Sequence, residues 1–325
     1  MPVQIGFLGA GSATRRHCDA LSRLENAHIA AFCDIAAPRA GELAAKYGAT
    51  AYSSIGRMLA GENLDALYVC TPPHAHGAGE IAAIKAGCAL FIEPPVANNL
   101  RTAQSVQNAL GKSGVLCSVG HFWRYFEATA RLKRELSGKN APPALLLNGK
   151  WLAPLPATAW RRDFKNAGGI WLDEAYQLLD LTRYLGGEAQ RVSAFSASLC
   201  LQTEFPDATA PDTCAAIVQL QNGALASFGA ATILEAGAHS EFSIATREAR
   251  FSLHGSQFKT IRGAEETIFH GSDDAILAQN AAFLRAVESG KRAEIRATYA
   301  DATKTLRLAL ALNRASGGSK TVNVT

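Results

Sequence analysis

The sequence predicts an α/β chain of two domains: a doubly wound parallel sheet, then an α/β domain built on a mainly antiparallel sheet. Three observations predict it. Short apolar runs alternate with helix-period segments through residue 120. A glycine-rich turn joins the first run to the first segment. From residue 190 to 270 strand-like runs follow one another with glycine punctuation, the mark of hairpin-connected strands. The regime changes at residue 122, giving domains 1–122 and 123–325, a division in keeping with 325 residues.

The elements follow in order. Residues 3–9 read as a buried strand, and 12–25 as a helix with Cys18, Leu21 and Leu24 at helical spacing. The alternation continues with strand 27–34, helix 37–47, strand 64–70, helix 75–86, strand 88–93, helix 100–112 and strand 115–120. A helix at 125–137 leads to a strand near 144–151 and a proline-rich loop at 153–158. A helix over 171–185 precedes the run of strands, and helices at 273–289 and 298–315 close the chain.

Composition narrows the function. The chain is 48% hydrophobic and 18% charged, with a net charge of +4, so it buries large cores and does not read as disordered. Its basic residues are scattered, which argues against nucleic acid as a partner. No apolar run is long enough to span a membrane. The N-terminus enters a strand at once, so no signal peptide is expected. The seven cysteines form no C-x-x-C pair and fit a reducing cytoplasm better than a disulfide framework. His17, His28, His239, His254 and His270 show no metal-ligand spacing, and no metal is expected.

The glycine turn carries the chemistry. Gly9-Ala10-Gly11-Ser12-Ala13-Thr14 lies between the first strand and the first helix. Gly9 permits a tight turn, and Gly11 lets the backbone approach a pyrophosphate at the helix N-terminus, with Ser12 and Ala13 in the first turn. Thr14 stands where a third glycine is usual. Asp34 ends the second strand, where an acid grips ribose hydroxyls. Its simpler role is to cap the helix at 37–47. A carboxylate there repels a 2′-phosphate, so NAD is favoured, while nearby Arg39 keeps NADP open.

Three further segments carry a family resemblance. They are Thr71-Pro72-Pro73-His74-Ala75-His76, Phe91-Ile92-Glu93-Pro94-Pro95, and the stretch from Gly168-Gly169 through Asp173, Tyr176 and Gln177 to Asp180. In this order they resemble the T-P-x-x-x-H, E-K-P and G-G-x-x-x-D-x-x-x-H-x-x-D patterns of the glucose–fructose oxidoreductase / inositol dehydrogenase / MocA family. The resemblance covers nearly the whole chain. It implies an N-terminal Rossmann domain, a C-terminal α/β domain on a large open sheet, and a small substrate bound between them over the nicotinamide. It adds Thr71, Pro72, His76 and Glu93 to the cofactor contacts. It places Pro94, Arg124, Trp160, Arg161, Asp173 and Gln177 toward the substrate, and it implies a homodimer or homotetramer paired through the sheet.

The resemblance breaks at the proton machinery. The family's lysine and histidine are replaced by Pro94 and Gln177. Proline has no amine, and a glutamine amide does not exchange a proton near neutral pH. Asp173 remains, and in a continuous helix Asp173, Tyr176 and Gln177 share one face. Tyr176, Lys150 and His121 are the other candidates for moving a proton; their simpler roles are packing, a surface charge and a hydrogen-bonded interdomain residue. Three functions stay open: an NAD-dependent oxidoreductase on a sugar-like or other small hydroxy, oxo or imine compound, a non-redox NAD-binding sensor, and NAD-assisted elimination or hydrolysis.

Overall fold

A computed structural model describes residues 1–138, 141–271, 274–318 and 320–324. The chain starts with β1 (Val3–Leu8), α1 (Ser12–Leu21), β2 (Ala27–Cys33), α2 (Ala37–Tyr47), β3 (Thr50–Tyr52), α3 (Ile55–Gly61) and β4 (Ala66–Val69). It continues through α4 (Ala78–Lys85), β5 (Ala89–Ile92), α5 (Leu100–Ser113), β6 (Cys117–Val119) and α6 (Glu127–Glu135). Next come β7 (Leu146–Pro154), α7 (Ala159–Arg162), α8 (Phe164–Ala167), α9 (Tyr176–Gly186), β8 (Ala189–Ala197) and α10 (Leu201–Glu204). The rest is β9 (Thr213–Leu220), β10 (Leu225–Leu234), β11 (His239–Ala245), β12 (Arg250–His254), β13 (Gln257–Arg262), β14 (Glu265–His270), α11 (Ala275–Ser289), α12 (Tyr299–Gly318) and β15 (Val322–Asn323).

Two compact units result, 1–122 with 274–303 and 123–273 with 304–325. A division at residue 122 alone therefore misses a return: α11 packs on α1 and β1 of the first unit, and its Phe283 and Leu284 join that unit's core. Residue 273, where the sequence reading begins this helix, lies outside the described residues.

In the first unit the described strands form a six-stranded sheet in the order β3-β2-β1-β4-β5-β6, every pair parallel. Phe7 is level with Phe32 and Tyr68, and Tyr68 with Phe91. That register stacks four buried rings in a row across the strands, with centroids 5.4, 5.0 and 4.7 Å apart. Phe283 closes the row edge-on against Tyr68 and Phe91 at 5.5 and 5.4 Å. The order reverses between β1 and β4, the switch point at which such sheets bind ligands beyond their carboxyl ends.

In the second unit the described strands form a nine-stranded sheet in the order β14-β13-β12-β11-β7-β10-β9-β8-β15. β10 runs parallel to β7, and the other pairs are antiparallel. Strand alternation turns Gly149 against Leu178 of α9 and leaves Leu146, Asn148 and Lys150 exposed on the other face.

The sequence reading is corrected on two elements. The helix expected over 171–185 begins at Tyr176. Residues 168–175 instead coil through a tight turn in which Asp173 N–H bonds Gly169 O and Ala175 N–H reaches back to Ile170 O. That last bond spans five residues and breaks the helical period. The first helix stops at Leu21 rather than 25, because the N–H groups of Arg23 and Leu24 bond Ala20 O and Leu21 O, three residues back instead of four.

Candidate functional site

In the first unit the site grows from the carboxyl ends of the parallel strands. Gly9 N–H still bonds Cys33 O, at 2.8 Å, and Cys70 N–H bonds Leu8 O, so β1, β2 and β4 end together. Gly9 turns there with φ +94°, and a Cβ would lie 2.5 Å from Cys70 O, so no other residue fits without moving backbone. Thr14 Oγ1 donates to Gly9 O at 2.6 Å; the residue in the third glycine position thus braces the loop. Gly11 N-caps α1 with no side-chain cap and with open space where a Cβ would begin. The first-turn amides, those of Ser12 and Ala13 among them, have no carbonyl a turn earlier. This is the donor set that a pyrophosphate needs.

Asp34 accepts from Ala10 N–H and from Ala36 N–H, each at 2.8 Å. One bond ties the glycine loop to the end of β2, and the other closes a turn onto Ala36, the residue before α2, a helix that no side chain caps. Each carboxylate oxygen keeps a second lone pair for a ribose hydroxyl. Arg39 is exposed on α2. Beyond β4, Thr71 holds a buried hydroxyl with no hydrogen-bond partner, a polar atom that a ligand on this edge would satisfy. Glycine cradle, uncapped helix, acid and orphan hydroxyl together fit a dinucleotide.

Two expected cofactor residues have roles inside the protein. His76 is buried, its Nδ1 2.6 Å from Glu80 Oε1 and its Nε2 3.1 Å from Thr71 O. Glu80 Oε2 takes Gly77 N–H at 2.6 Å. His76 therefore pins the loop after Pro72 rather than offering a nitrogen outward. Glu93 lies 2.5 Å from His17 Nε2 through Oε1. His121 follows β6 fully buried, its N–H bonded to Val119 O.

In the second unit the turn at 168–175 brings two acids onto one cation. Arg161 Nε meets Asp173 Oδ2 at 2.6 Å, and Arg161 Nη2 meets Glu174 Oε1 at 2.5 Å. Trp151 Nε1 donates to the other Glu174 oxygen at 2.9 Å. Burial raises both carboxyl pKa values, for Asp173 against the opposing Arg161 charge and for Glu174 with Asp173 adding to the rise. Asp173 Oδ1 takes no hydrogen bond among the described residues. A small pocket beside the trio is lined by Gly169, Ile170 and Pro211 as well as by all three charged residues. The unit's larger hollow, about 290 Å³, is lined by Phe164, Ser196, Cys214 and Asn313 and lies apart from these acids.

The remaining expected residues distribute as follows. Trp160 precedes Arg161 on α7, its ring 5.9 Å from the guanidinium. Gln177 is half-buried on the first turn of α9, and Pro94 is half-buried after β5. Tyr176 is 2% exposed and packs in the core. Because α9 starts at Tyr176, Asp173 does not share a helix face with Tyr176 and Gln177. Arg124, expected toward the substrate, is engaged in the core. It is 3% exposed and bonds Asp180 through Nε at 2.8 Å and Nη2 at 2.6 Å, a buried pair whose rupture is costly. Lys150 lies on the exposed sheet face, opposite Trp151 and its Glu174 contact, and is a surface charge.

Sequence reasoning passed over Glu174 and His17. Glu174 sits beside Asp173 in the chain, and adjacency alone gave it no role until the turn set both on Arg161. His17 was weighed only as a metal ligand, and among the described residues no group of three His, Cys, Asp or Glu is placed to hold one.

Comparison with known proteins follows this geometry. Residues 3–121 match an oxidoreductase family with an NAD-binding Rossmann fold, and residues 147–305 match the C-terminal alpha/beta domain of the same family. A 4-carboxy-2-hydroxymuconate-6-semialdehyde dehydrogenase from a Sphingobium species is 32% identical over 124 residues, 38% of this chain and 39% of that protein. A myo-inositol 2-dehydrogenase from Thermotoga maritima is 26% identical over 226 residues, 69% of this chain and 66% of its own length. The matches thus span less than two thirds of either relative. Levoglucosan dehydrogenase, solved in complex with NADH, shares the fold with a TM-score of 0.90 at 18% identity, covering 100% of both chains.

The Glu80 clamp has a measurable pH signature. Burial opposes its charge, but His76 and the amides of Glu80 and Gly77 hold the carboxyl below its usual range. The stability it contributes is therefore full above the ordinary carboxylate pKa and is lost as pH falls through the lowered value. Glu80→Gln should cost about 1–3 kcal/mol at neutral pH. Thermal melts of both proteins from neutral to acid pH should show that difference narrowing only below the ordinary carboxylate range.

Proposed function

The chain belongs to the Gfo/Idh/MocA oxidoreductase family, and we propose that it is an NAD-dependent oxidoreductase acting on a small hydroxy or oxo compound of the sugar or cyclitol class. The observation that carries this reading is the Arg161–Asp173–Glu174 trio in a chain whose other unit is an NAD-binding Rossmann domain. Gly9, Gly11, Ser12 and Ala13 would hold the pyrophosphate, Asp34 the ribose, and Thr71, Pro72 and Glu93 the far half of the dinucleotide. Bound NAD supplies the hydride acceptor.

The protein's share is the proton. Neither Pro94 nor Gln177 can take it, so the task falls to Asp173. Its Oδ2 is pinned by Arg161, and Oδ1 is left to take the proton of a substrate hydroxyl. Burial, by raising its pKa, makes it a stronger base than an exposed aspartate. Glu174 engages the second guanidinium nitrogen, so Arg161 is shared rather than devoted to Asp173. Gln177 offers hydrogen bonds for orientation only.

Nicotinamide absorbance followed across a panel of sugars, cyclitols and their oxo forms tests the assignment. Asp173→Asn should lower kcat roughly 10²–10⁴-fold, the usual share of acid–base help, with dinucleotide affinity unchanged. Pro94→Lys with Gln177→His should raise turnover of a simple sugar. Turnover by Asp173→Asn at the native rate would remove Asp173 from the role. Conversion of substrate with no net absorbance change would point to NAD-assisted elimination instead.

We propose further that the chain self-associates through the exposed face of its nine-stranded sheet. Leu146, Ile217 and Leu225 are 44%, 52% and 45% exposed there, more apolar surface than an isolated sheet face usually leaves to water. Sedimentation at micromolar concentration should give a dimer or tetramer, and Ile217→Lys with Leu225→Lys should dissociate it. A native monomer would contradict the proposal.

A further inference from the structure

One buried titratable pair in the first unit, of which only Glu93 enters the grip described above, holds a histidine with no role so far. His17 on α1 is 0% exposed, and both ring nitrogens are engaged. Nδ1 lies 3.0 Å from Asn280 Oδ1, and Nε2 lies 2.5 Å from Glu93 Oε1. Asn280 holds Nδ1. Two bare acceptors do not approach to 2.5 Å, so a proton lies between Nε2 and Glu93. The ring packs edge-on against Phe91 at 4.9 Å and beside Tyr68 at 5.3 Å, which fixes its plane.

The pair is asymmetric toward water. The His17 side chain is 1% exposed and that of Glu93 is 14% exposed. Glu93 directly follows β5, and its N–H bonds Val69 O at 2.9 Å, so the carboxyl end of the sheet carries it. The carboxylates that serve structure here have both oxygens bonded: Glu80, Asp180 and Asp212. Glu93 differs, because Oε2 takes no bond among the described residues. The result is a carboxylate turned outward and held from behind by the His17 ring. Other titratable groups face Glu93 from the packed elements: Arg16 on α1, Cys70 after β4 and His121 after β6. Tyr68 of β4 lies against His17. Burial opposes the Glu93 charge, but the His17 bond and charge, with Arg16 and His121, hold its carboxyl below the usual range.

We propose that the His17–Glu93 pair selects the oxidised cofactor: a carboxylate held at this edge by a buried histidine favours the cationic nicotinamide of NAD⁺ over the uncharged ring of NADH. It thereby keeps the free protein loaded with NAD⁺ and favours release of NADH. The inference rests on the reading that the dinucleotide runs along the carboxyl edge from Asp34 to β5. His17 is a positioning residue, acting through Glu93.

The test is calorimetric titration of the intact protein with NAD⁺ and with NADH, each across pH. Glu93→Gln should move the affinity ratio roughly tenfold toward NADH, as loss of a unit charge several ångströms away in partly screened surroundings implies. Glu93→Asp should restore part of it. His17→Gln should keep the ratio near about pH 8 but lose part of it near about pH 5.5, because the His17 bond and charge that countered burial are gone and only Arg16 and His121 remain against it. The native ratio should hold over that range, and His121 and Arg16, present in both proteins, cancel in the comparison. An equal loss for both cofactors in Glu93→Gln, or a His17→Gln ratio as flat with pH as the native one, would overturn the proposal. Failure of the native protein to bind either dinucleotide would instead overturn the reading on which it rests.

Discussion

The parallel register of β1, β2, β4 and β5 is the constraint on which the first unit depends. Because Phe7, Phe32, Tyr68 and Phe91 stand level, the strands that carry them finish level too. Gly9, Asp34, Thr71 and Glu93 are therefore delivered to one edge although they are scattered over more than eighty residues of sequence. The ladder continues to the ends: Gly9 N–H bonds Cys33 O, Cys70 N–H bonds Leu8 O, and Glu93 N–H bonds Val69 O. A slip of one residue in any strand would turn an aromatic ring to the other face and displace the residue at its end.

The carboxylates divide by what surrounds them. Glu80 and Glu93 meet histidines and amides that outweigh burial, so their charge is held. Asp173 and Glu174 share a single guanidinium, and burial outweighs it. A carboxyl whose charge is secure serves to tie chain together or to present a fixed field. One whose charge is insecure is suited to exchange a proton. The two behaviours fall in different units, one beside the dinucleotide edge and one in the turn before α9.

Much of this was legible in the sequence, and the failures share a cause. The strand–helix alternation, the glycine turn and Asp34 are local patterns, readable because spacing along the chain maps directly onto a strand, a turn and a helix start. The surroundings of Arg124 and Lys150 were not legible, because only tertiary structure decides whether a cation meets Asp180 in the core or stands on a sheet's open face. The 171–185 stretch reads as a helix by its leucines, yet Gly168 and Gly169, both at positive φ, begin a turn that delays the helix to Tyr176. His17 was illegible as a partner of Glu93 because the pairing needs α1, β5 and α11 assembled.

An NAD site at the carboxyl edge of the first sheet, with Asp34 on the ribose, discriminates between the two dinucleotides. Titration of the native protein with NAD⁺ and NADP⁺ under one set of conditions tests it most directly. The account requires saturable one-to-one binding of NAD⁺, with NADP⁺ weaker by roughly tenfold or more because its 2′-phosphate meets a carboxylate. Tighter binding of NADP⁺, or no binding of NAD⁺ at millimolar concentration, would contradict it.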